Sequence, residues 1–373
     1  MATSKAVLGG NDSVKVCAAQ LSPVLMDQDG TLKRALAAIA EAAAAGARLI
    51  AFPEVFLAGY PYWTEGWDTA LPDWAEARQR FFDAAILAPG DVTDAIGEAA
   101  RANDIYVVMG CNEMDPRPGV HTVYNTLLFF DRDGTLRGRH RKLLPTFTER
   151  LFWGAGGADD LAVYDTDIGR IGGLICGENL ATPLRAAMIA MGEDFHIAVF
   201  PGAFSIHQGP RIEEWDAEHA AFWGHSTTRS HSLEAGCFTL SVCAVLDEND
   251  VAEDFPFRGR MNIDYSRGGS SIVAPVGVPL VGPVEGAQLV YADCEAWMIK
   301  CAKALADTAG HYGRADIVRV QLRGEDGWQT AGQPYRSGPE RRVKAAELRR
   351  AADAHEVDED QVAAVADDRG LLA

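Results

Sequence analysis

Between residues 14 and 57 the chain alternates apolar runs with a helix that is nearly all alanine: "VKVCAAQL", then "TLKRALAAIAEAAAAGA", then "RLIAFPEVFL". Each apolar run has the length of a strand. The alanine-rich stretch is a strong helix former and closes on Gly46. Strand, covering helix and strand in succession favour a sheet with helices packed on its faces. The alternation continues: "DVTDAIGEAARAND" reads as a helix, "IYVVMGCNEM" as a strand, and "TVYNTLLFFDRDGTLRGRHRK" as a hairpin turning at Asp133-Gly134. "DLAVYDTDIGRIGGLIC" reads as two strands, "TPLRAAMIAMGE" as a helix and "FHIAVFPG" as a strand. "EEWDAEHAAFWGHSTTRSHSLEAG" is helical, "CFTLSVCAVL", "SSIVAPVGVPLVGP" and "AQLVYADC" supply strands, and "EAWMIKCAKALADTAG" is a last helix. The fold class is α/β. Residues 1–13 read as a polar leader, 14–322 as one domain without a linker-like break, and 323–373 as a charged tail with few large apolar residues.

Composition removes several function classes. Lys plus Arg is 34 and Asp plus Glu is 53, for a formal charge of −19. Such a chain repels phosphate backbones, and the one dense basic stretch, "LRGRHRKL", lies in the hairpin, so no nucleic-acid partner is expected. No apolar stretch is long enough to span a bilayer, and "MATSKAVLGGNDS" lacks the apolar core of a signal peptide. The seven cysteines are scattered, with no C-x-x-C pair, which fits reduced thiols in a cytoplasmic protein.

Three segments carry candidate chemistry. In "GGLICGENL", Cys176 ends an apolar strand just before a turn and a helix at Pro183. Such a turn lifts the residue from the sheet edge, and backbone N–H groups at a helix start favour a thiolate; packing as a core thiol is the alternative. In "LIAFPEVFLAGYP", Glu54 follows a strand, at the end where open α/β sheets place their sites; it reads equally as a turn residue. In "RHRKLLPTFTERLFWG", Lys142 is a solvated surface cation, or a half-buried one that needs a carboxylate, which Glu149 could supply. Tyr60, Tyr62, Trp63, Phe147, Trp153, Phe200 and Phe204 could wall an apolar pocket or simply fill the core. Asn125 is an orienting amide or a hairpin residue. No metal site is expected: His219, His225 and His231 recur every six residues, which turns them to different faces of a helix. No G-x-S-x-G elbow, Walker pattern or G-x-G-x-x-G after a strand occurs.

Taken together and in this order, "FPE" with Glu54, "HRKLLPTFTER" with Lys142 and Glu149, and "GGLICGEN" with Cys176 resemble the motifs of the nitrilase superfamily of carbon–nitrogen hydrolases. "GHYGRADIVRV" at 310–320 resembles a segment of nitrilases proper, and the resemblance covers about residues 14–322. It implies a four-layer α-β-β-α sandwich and a Glu54–Lys142–Cys176 triad with Glu149 as a second glutamate. It also implies hydrolysis of a small-molecule nitrile to the carboxylic acid and ammonia through a thioimidate and a thioester, without cofactor or metal. An amidase or N-carbamoyl hydrolase using the same triad is the alternative, and a silent scaffold the third reading. The family further implies a homo-oligomer built from dimers, in many members a helical filament joined by C-terminal tails. One departure stands out: nitrilases commonly carry Trp directly after the cysteine, and here the residue is Gly177.

Overall fold

The computed structural model describes residues 6–63, 71–202, 223–261, 263, 268–314, 316–324 and 327–330. The strands in chain order are β1 (Ser13–Gln20), β2 (Leu49–Ala51), β3 (Tyr106–Met114), β4 (Val123–Phe130), β5 (Leu136–Arg141), β6 (Tyr164–Thr166), β7 (Gly169–Ile175), β8 (Phe195–Phe200), β9 (Phe238–Cys243), β10 (Ser270–Val273), β11 (Pro279–Val284), β12 (Gln288–Glu295), β13 (Gln321–Gly324) and β14 (Gly327–Thr330). The helices are α1 (Gln28–Ala44), α2 (Leu71–Asp83), α3 (Asp91–Ala102), α4 (Thr182–Met191), α5 (Trp223–Ala235) and α6 (Ala296–Ala306).

Two six-stranded sheets result, in the orders β12-β1-β2-β3-β4-β5 and β11-β10-β9-β8-β7-β6. Their centres are built alike: β1, β2 and β3 run parallel in one, β7, β8 and β9 in the other. Antiparallel strands close the edges. The period of two along each strand sorts the side chains. Val14, Val16 and Ala18 of β1 join Ile197 and Val199 of β8 and Leu240 and Val242 of β9 in one buried core between the sheets. Cys17 and Ala19 face the other way, onto Ala35, Ile39 and Ala42 of α1 and Ile96 and Ala100 of α3. Val163, just before β6, and Leu174 of β7 meet Met188 and Met191 of α4. Helix, sheet, sheet, helix is the α-β-β-α layering expected above. No helix among the described residues is long and apolar enough to cross a membrane.

Local signals explain several boundaries. Asp27 caps α1 by accepting from the Gly30 N–H, and Gly46 follows its end with φ +86°. The β4–β5 turn holds Asp133, which accepts from the Thr135 N–H.

Three differences from the sequence reading stand out. Helix α2 is absent from the sequence reading because its apolar residues form no broad buried stripe; only Ala77 and Phe81 are buried. The segment before β1 is more than a leader: Leu8 is fully buried, and Asn11 donates to Leu8 O and Asp167 O. The boundary at 322 falls inside the β13–β14 hairpin. Residues 331–373, which include most of the tail, lie outside the described residues.

Candidate active site

Glu54 sits where the chain leaves β2 without leaving β3. Phe52 N–H donates to Val108 O and Leu57 N–H to Gly110 O, so the segment tracks β3 across Pro53. The approach is so close that a Cβ on Gly110 would lie 1.9 Å from Pro53 O, which only glycine permits. Val55 follows with φ +43°. Glu54 ends 1% exposed.

Lys142 follows β5 directly, and its N–H donates to Asn125 O on β4. The hairpin thereby sets the Asn125 and Lys142 side chains together over Glu54. Lys142 Nζ donates to Glu54 Oε1 at 3.0 Å and to Glu149 Oε2 at 2.6 Å. Asn125 Nδ2 donates to the same Glu54 oxygen at 2.7 Å. Glu149 lies on a short 3-10 turn, Phe147–Leu151, and accepts from the Thr146 N–H at 2.7 Å and the Tyr60 hydroxyl at 2.9 Å.

Cys176 comes from the opposite sheet. It is the first residue of a 3-10 turn, Cys176–Leu180, at the end of β7, and its φ is +48°. A non-glycine residue in that region costs about 1–3 kcal/mol and persists only where its surroundings hold it. Glu178 and Asn179 do so. Glu178 accepts from the Ile175 N–H at 2.9 Å, the Leu143 N–H at 2.8 Å and His140 Nε2 at 2.7 Å, so it ties the cysteine turn to the lysine strand. Asn179 Nδ2 donates to Leu174 O and Cys176 O. In the sequence, "GGLICGEN" serves only as a mark of resemblance. A glutamate and an asparagine inside an apolar run were the signal that both would need buried partners.

The electrostatics follow from burial. Burial raises the Glu54 carboxyl to about 7, with Glu149 adding to it and Lys142 and Asn125 opposing. Burial opposes the charge on Lys142, but Glu54, Cys176 and Glu149 outweigh it and hold the ammonium well above the usual lysine range. Cys176 corrects one expectation. The turn lifts it off the strand but leaves it 8% exposed. Burial and the Glu54 charge outweigh Lys142 and the Gly177 N–H, so the thiol is held well above its ordinary value and rests protonated. It needs a base, and Glu54 lies beside it: an oxygen of Glu54, an oxygen of Glu149 and Cys176 Sγ all lie within 4.8 Å of one another. Glu54 Oε2 has no hydrogen-bond partner among the described residues.

The remaining candidates divide. Tyr60 and Asn125 belong to the cluster, though the Tyr60 hydroxyl is engaged with Glu149. Phe200 is buried in the same core cluster as Cys176. Trp63 packs instead among Phe81, Phe152, Phe255 and Phe257. Tyr62 donates to Pro201 O, and Trp153 Nε1 donates to Asn112 Oδ1. Phe147 is 81% exposed. Phe204, His219 and the His225 side chain lie outside the described residues. His231 is buried and hydrogen-bonded to Glu193. Among the described residues two groups bring three ligand-type atoms within 4.8 Å: Glu54, Glu149 and Cys176, and Glu193, His231 and Cys237. In the first, the Lys142 ammonium already supplies the positive charge. In the second, Glu193 and His231 are joined by a hydrogen bond of 2.9 Å. Gly177 also has a local reason. A Cβ there would lie 2.7 Å from Thr146 Oγ1, so a larger residue requires Thr146 to move.

The chain can now be set beside known proteins. The family model for carbon-nitrogen hydrolases matches residues 15–303. Nitrilase 3 of an unknown prokaryotic organism is 36% identical over 313 residues, covering 83% of this chain and 90% of its own. A bifunctional nitrilase/nitrile hydratase of Nicotiana tabacum is 34% identical over 329 residues, covering 85% and 88%. In three dimensions, Saccharomyces cerevisiae Nit3, a member of branch 10 of the nitrilase superfamily, overlays with a TM-score of 0.61 at 21% identity, covering 82% of this chain and 97% of its own. By family match, by relatives and by fold, this chain belongs to the carbon–nitrogen hydrolases of the nitrilase superfamily and is a hydrolase of carbon–nitrogen bonds.

Proposed function

We propose that the chain is a nitrilase, converting an organic nitrile and two waters into a carboxylic acid and ammonia. The observation that carries the reading is the meeting of a protonated thiol, a carboxylate raised to about 7 and a fixed ammonium in one buried cluster. Glu54 takes the proton from Cys176 Sγ as the S–C bond forms at the nitrile carbon. The displaced π pair goes to nitrogen, where the Lys142 ammonium stabilises the developing charge. Glu54 passes the thiol proton to that nitrogen, which makes the adduct a thioimidate and frees the carboxylate again. Water adds to it with Glu54 as base, the C–N bond breaks and ammonia leaves. A second water cleaves the resulting thioester, releases the acid and returns the proton to sulfur. Glu149 holds Lys142 from the other side, and Tyr60 and Thr146 hold Glu149.

The test is ammonia release from an aliphatic dinitrile, phenylacetonitrile, benzonitrile and the matching amides, with Cys176→Ala alongside. Nitrile turnover that drops by about 10⁴-fold or more in the variant is the expected result. Turnover of amides alone would move the chain to the amidase alternative. Turnover that survives in Cys176→Ala would overturn the cysteine mechanism.

A further inference from the structure

Behind the cysteine turn lies a second buried polar chain that the chemistry above does not use. Asn179 is 1% exposed, and its Nδ2 lies 3.2 Å from both Leu174 O and Cys176 O. Carbonyl oxygens only accept, so the amide nitrogen faces the turn and Oδ1 faces away. Oδ1 lies 3.0 Å from His196 Nε2. The other ring nitrogen, Nδ1, lies 2.9 and 3.1 Å from the two oxygens of Glu193. Glu193 is buried and also accepts from His231 Nε2 at 2.9 Å. Burial would raise its carboxyl, but His196 and His231 outweigh burial and hold it near 2, so it too only accepts. Both ring nitrogens of His196 therefore face acceptors, Nε2 the Asn179 amide oxygen and Nδ1 the Glu193 carboxylate.

The surroundings agree with that assignment. The His231 ring lies against His196 with centroids 3.8 Å apart. Burial and His196 push His231 down to about 4, with Arg185 adding to the effect, so His231 is the neutral donor to Glu193. The Cys237 thiol lies beside Glu193 and is held well above its usual range, first by burial and then by that carboxylate.

We propose that His196 is a positioning residue for the nucleophile. Its Nε2–H fixes the Asn179 amide, and Asn179 holds the Cys176 turn in the left-handed conformation that keeps Sγ against Glu54 and Glu149. The proposal rests on the reading of Cys176 as nucleophile, not on the identity of the substrate. It also separates the donor from the charge. In Glu193→Gln the new amide nitrogen can donate to His196 Nδ1 while its oxygen still accepts from His231. A neutral His196 would then keep Nε2–H for Asn179.

The experiment follows alkylation of Cys176 by iodoacetamide in the full chain, read by peptide mass spectrometry. Exposed Cys301 serves as the internal reference. In His196→Leu, Cys176 alkylation and kcat on the nitrile panel are expected to fall by about tenfold to a hundredfold, with KM and Cys301 alkylation little changed. Glu193→Gln is expected to retain at least about a third of the wild-type alkylation rate, because every hydrogen bond has a replacement. Wild-type alkylation in His196→Leu would overturn the proposal. So would a Glu193→Gln variant as slow as His196→Leu, because the ion pair rather than the amide grip would then be at work.

If His196→Leu does not fold, ¹⁵N-histidine labelling of the wild-type chain decides. A slowly exchanging Nε2–H on buried His196 is expected, and its absence would overturn the proposal. Failure of the substrate reading looks different. His196-dependent alkylation without nitrile turnover would remove the nitrile and leave the positioning role. Normal turnover with His196-independent alkylation would do the reverse.

Discussion

Glu54 and Glu178 are buried almost equally, at 1% and 4% exposed, yet they are opposites. Glu178 accepts from two backbone N–H groups and a histidine, and these outweigh burial to hold its carboxyl below the ordinary range. Glu54 takes both of its donors on one oxygen, leaves the other without a partner among the described residues, and is raised to about 7. Where both oxygens are matched by donors, a buried carboxylate fastens two segments together. Where one oxygen is left open beside a protonated thiol, the carboxylate can still take a proton. Burial is common to both; hydrogen-bond saturation separates them.

The largest expected consequence is at Glu54. Glu54→Gln keeps the shape but cannot act as base, and kcat/KM is expected to fall by about 10²–10⁴-fold. An unchanged rate would assign the base elsewhere. The same variant should alter the pH dependence of stability. The folded chain keeps a proton on Glu54 that the unfolded chain releases from about 4.5 upward, so this group erodes stability as pH rises from there to about 7. Glu54→Gln removes that slope, which denaturant melts across the window would reveal.

Activity carries the companion signature. The base must be ionised, so kcat/KM is expected to decline as pH falls below about 7. The Lys142 ammonium and the Glu149 carboxyl beside Glu54 set where that limb falls. A flat profile between pH 5 and 8 would contradict a raised carboxylate.

Glu178 should respond in stability first. Glu178→Gln places an amide nitrogen where one donor now points and removes the charge beside His140, a loss of about 1–3 kcal/mol measurable as a shift in unfolding midpoint. The pH sign is opposite to that of Glu54. The depressed carboxyl contributes stability that is present above its unfolded value and lost as pH falls through its folded one, and the variant should lack that acid-side loss. A full-stability variant with lost activity would recast Glu178 as part of the chemistry. The smallest effect is expected at Phe147, which is 81% exposed. Phe147→Ala should stay within about 0.5 kcal/mol of wild type. A marked rise in KM would restore it to the substrate site.

Much of the layout could be read from the chain because strand and helix periodicities are local properties. The β4–β5 turn at Asp133-Gly134, the paired strands β6 and β7, and α4 beginning at Thr182 and Pro183 all carry their own signals. Helix α2 was missed because it buries only Ala77 and Phe81, so it lacks a broad apolar stripe. The aromatic residues could not be sorted in advance. Tyr60 and Trp63 share one aromatic cluster, yet from it the Tyr60 hydroxyl reaches Glu149.

The amino-acid sequence by itself determined the alternation of strands and helices and the positions of Glu54, Lys142, Glu149 and Cys176, because both are written in residue order. Only the tertiary structure decided their chemistry. Glu54 and Lys142 come from one sheet and Cys176 from the other, and they meet because the inner faces of the two sheets must be buried together. That closure buries the thiol and the carboxyl and raises both, and leaves one oxygen open. Protonation follows from neighbours in space, which no local spacing specifies.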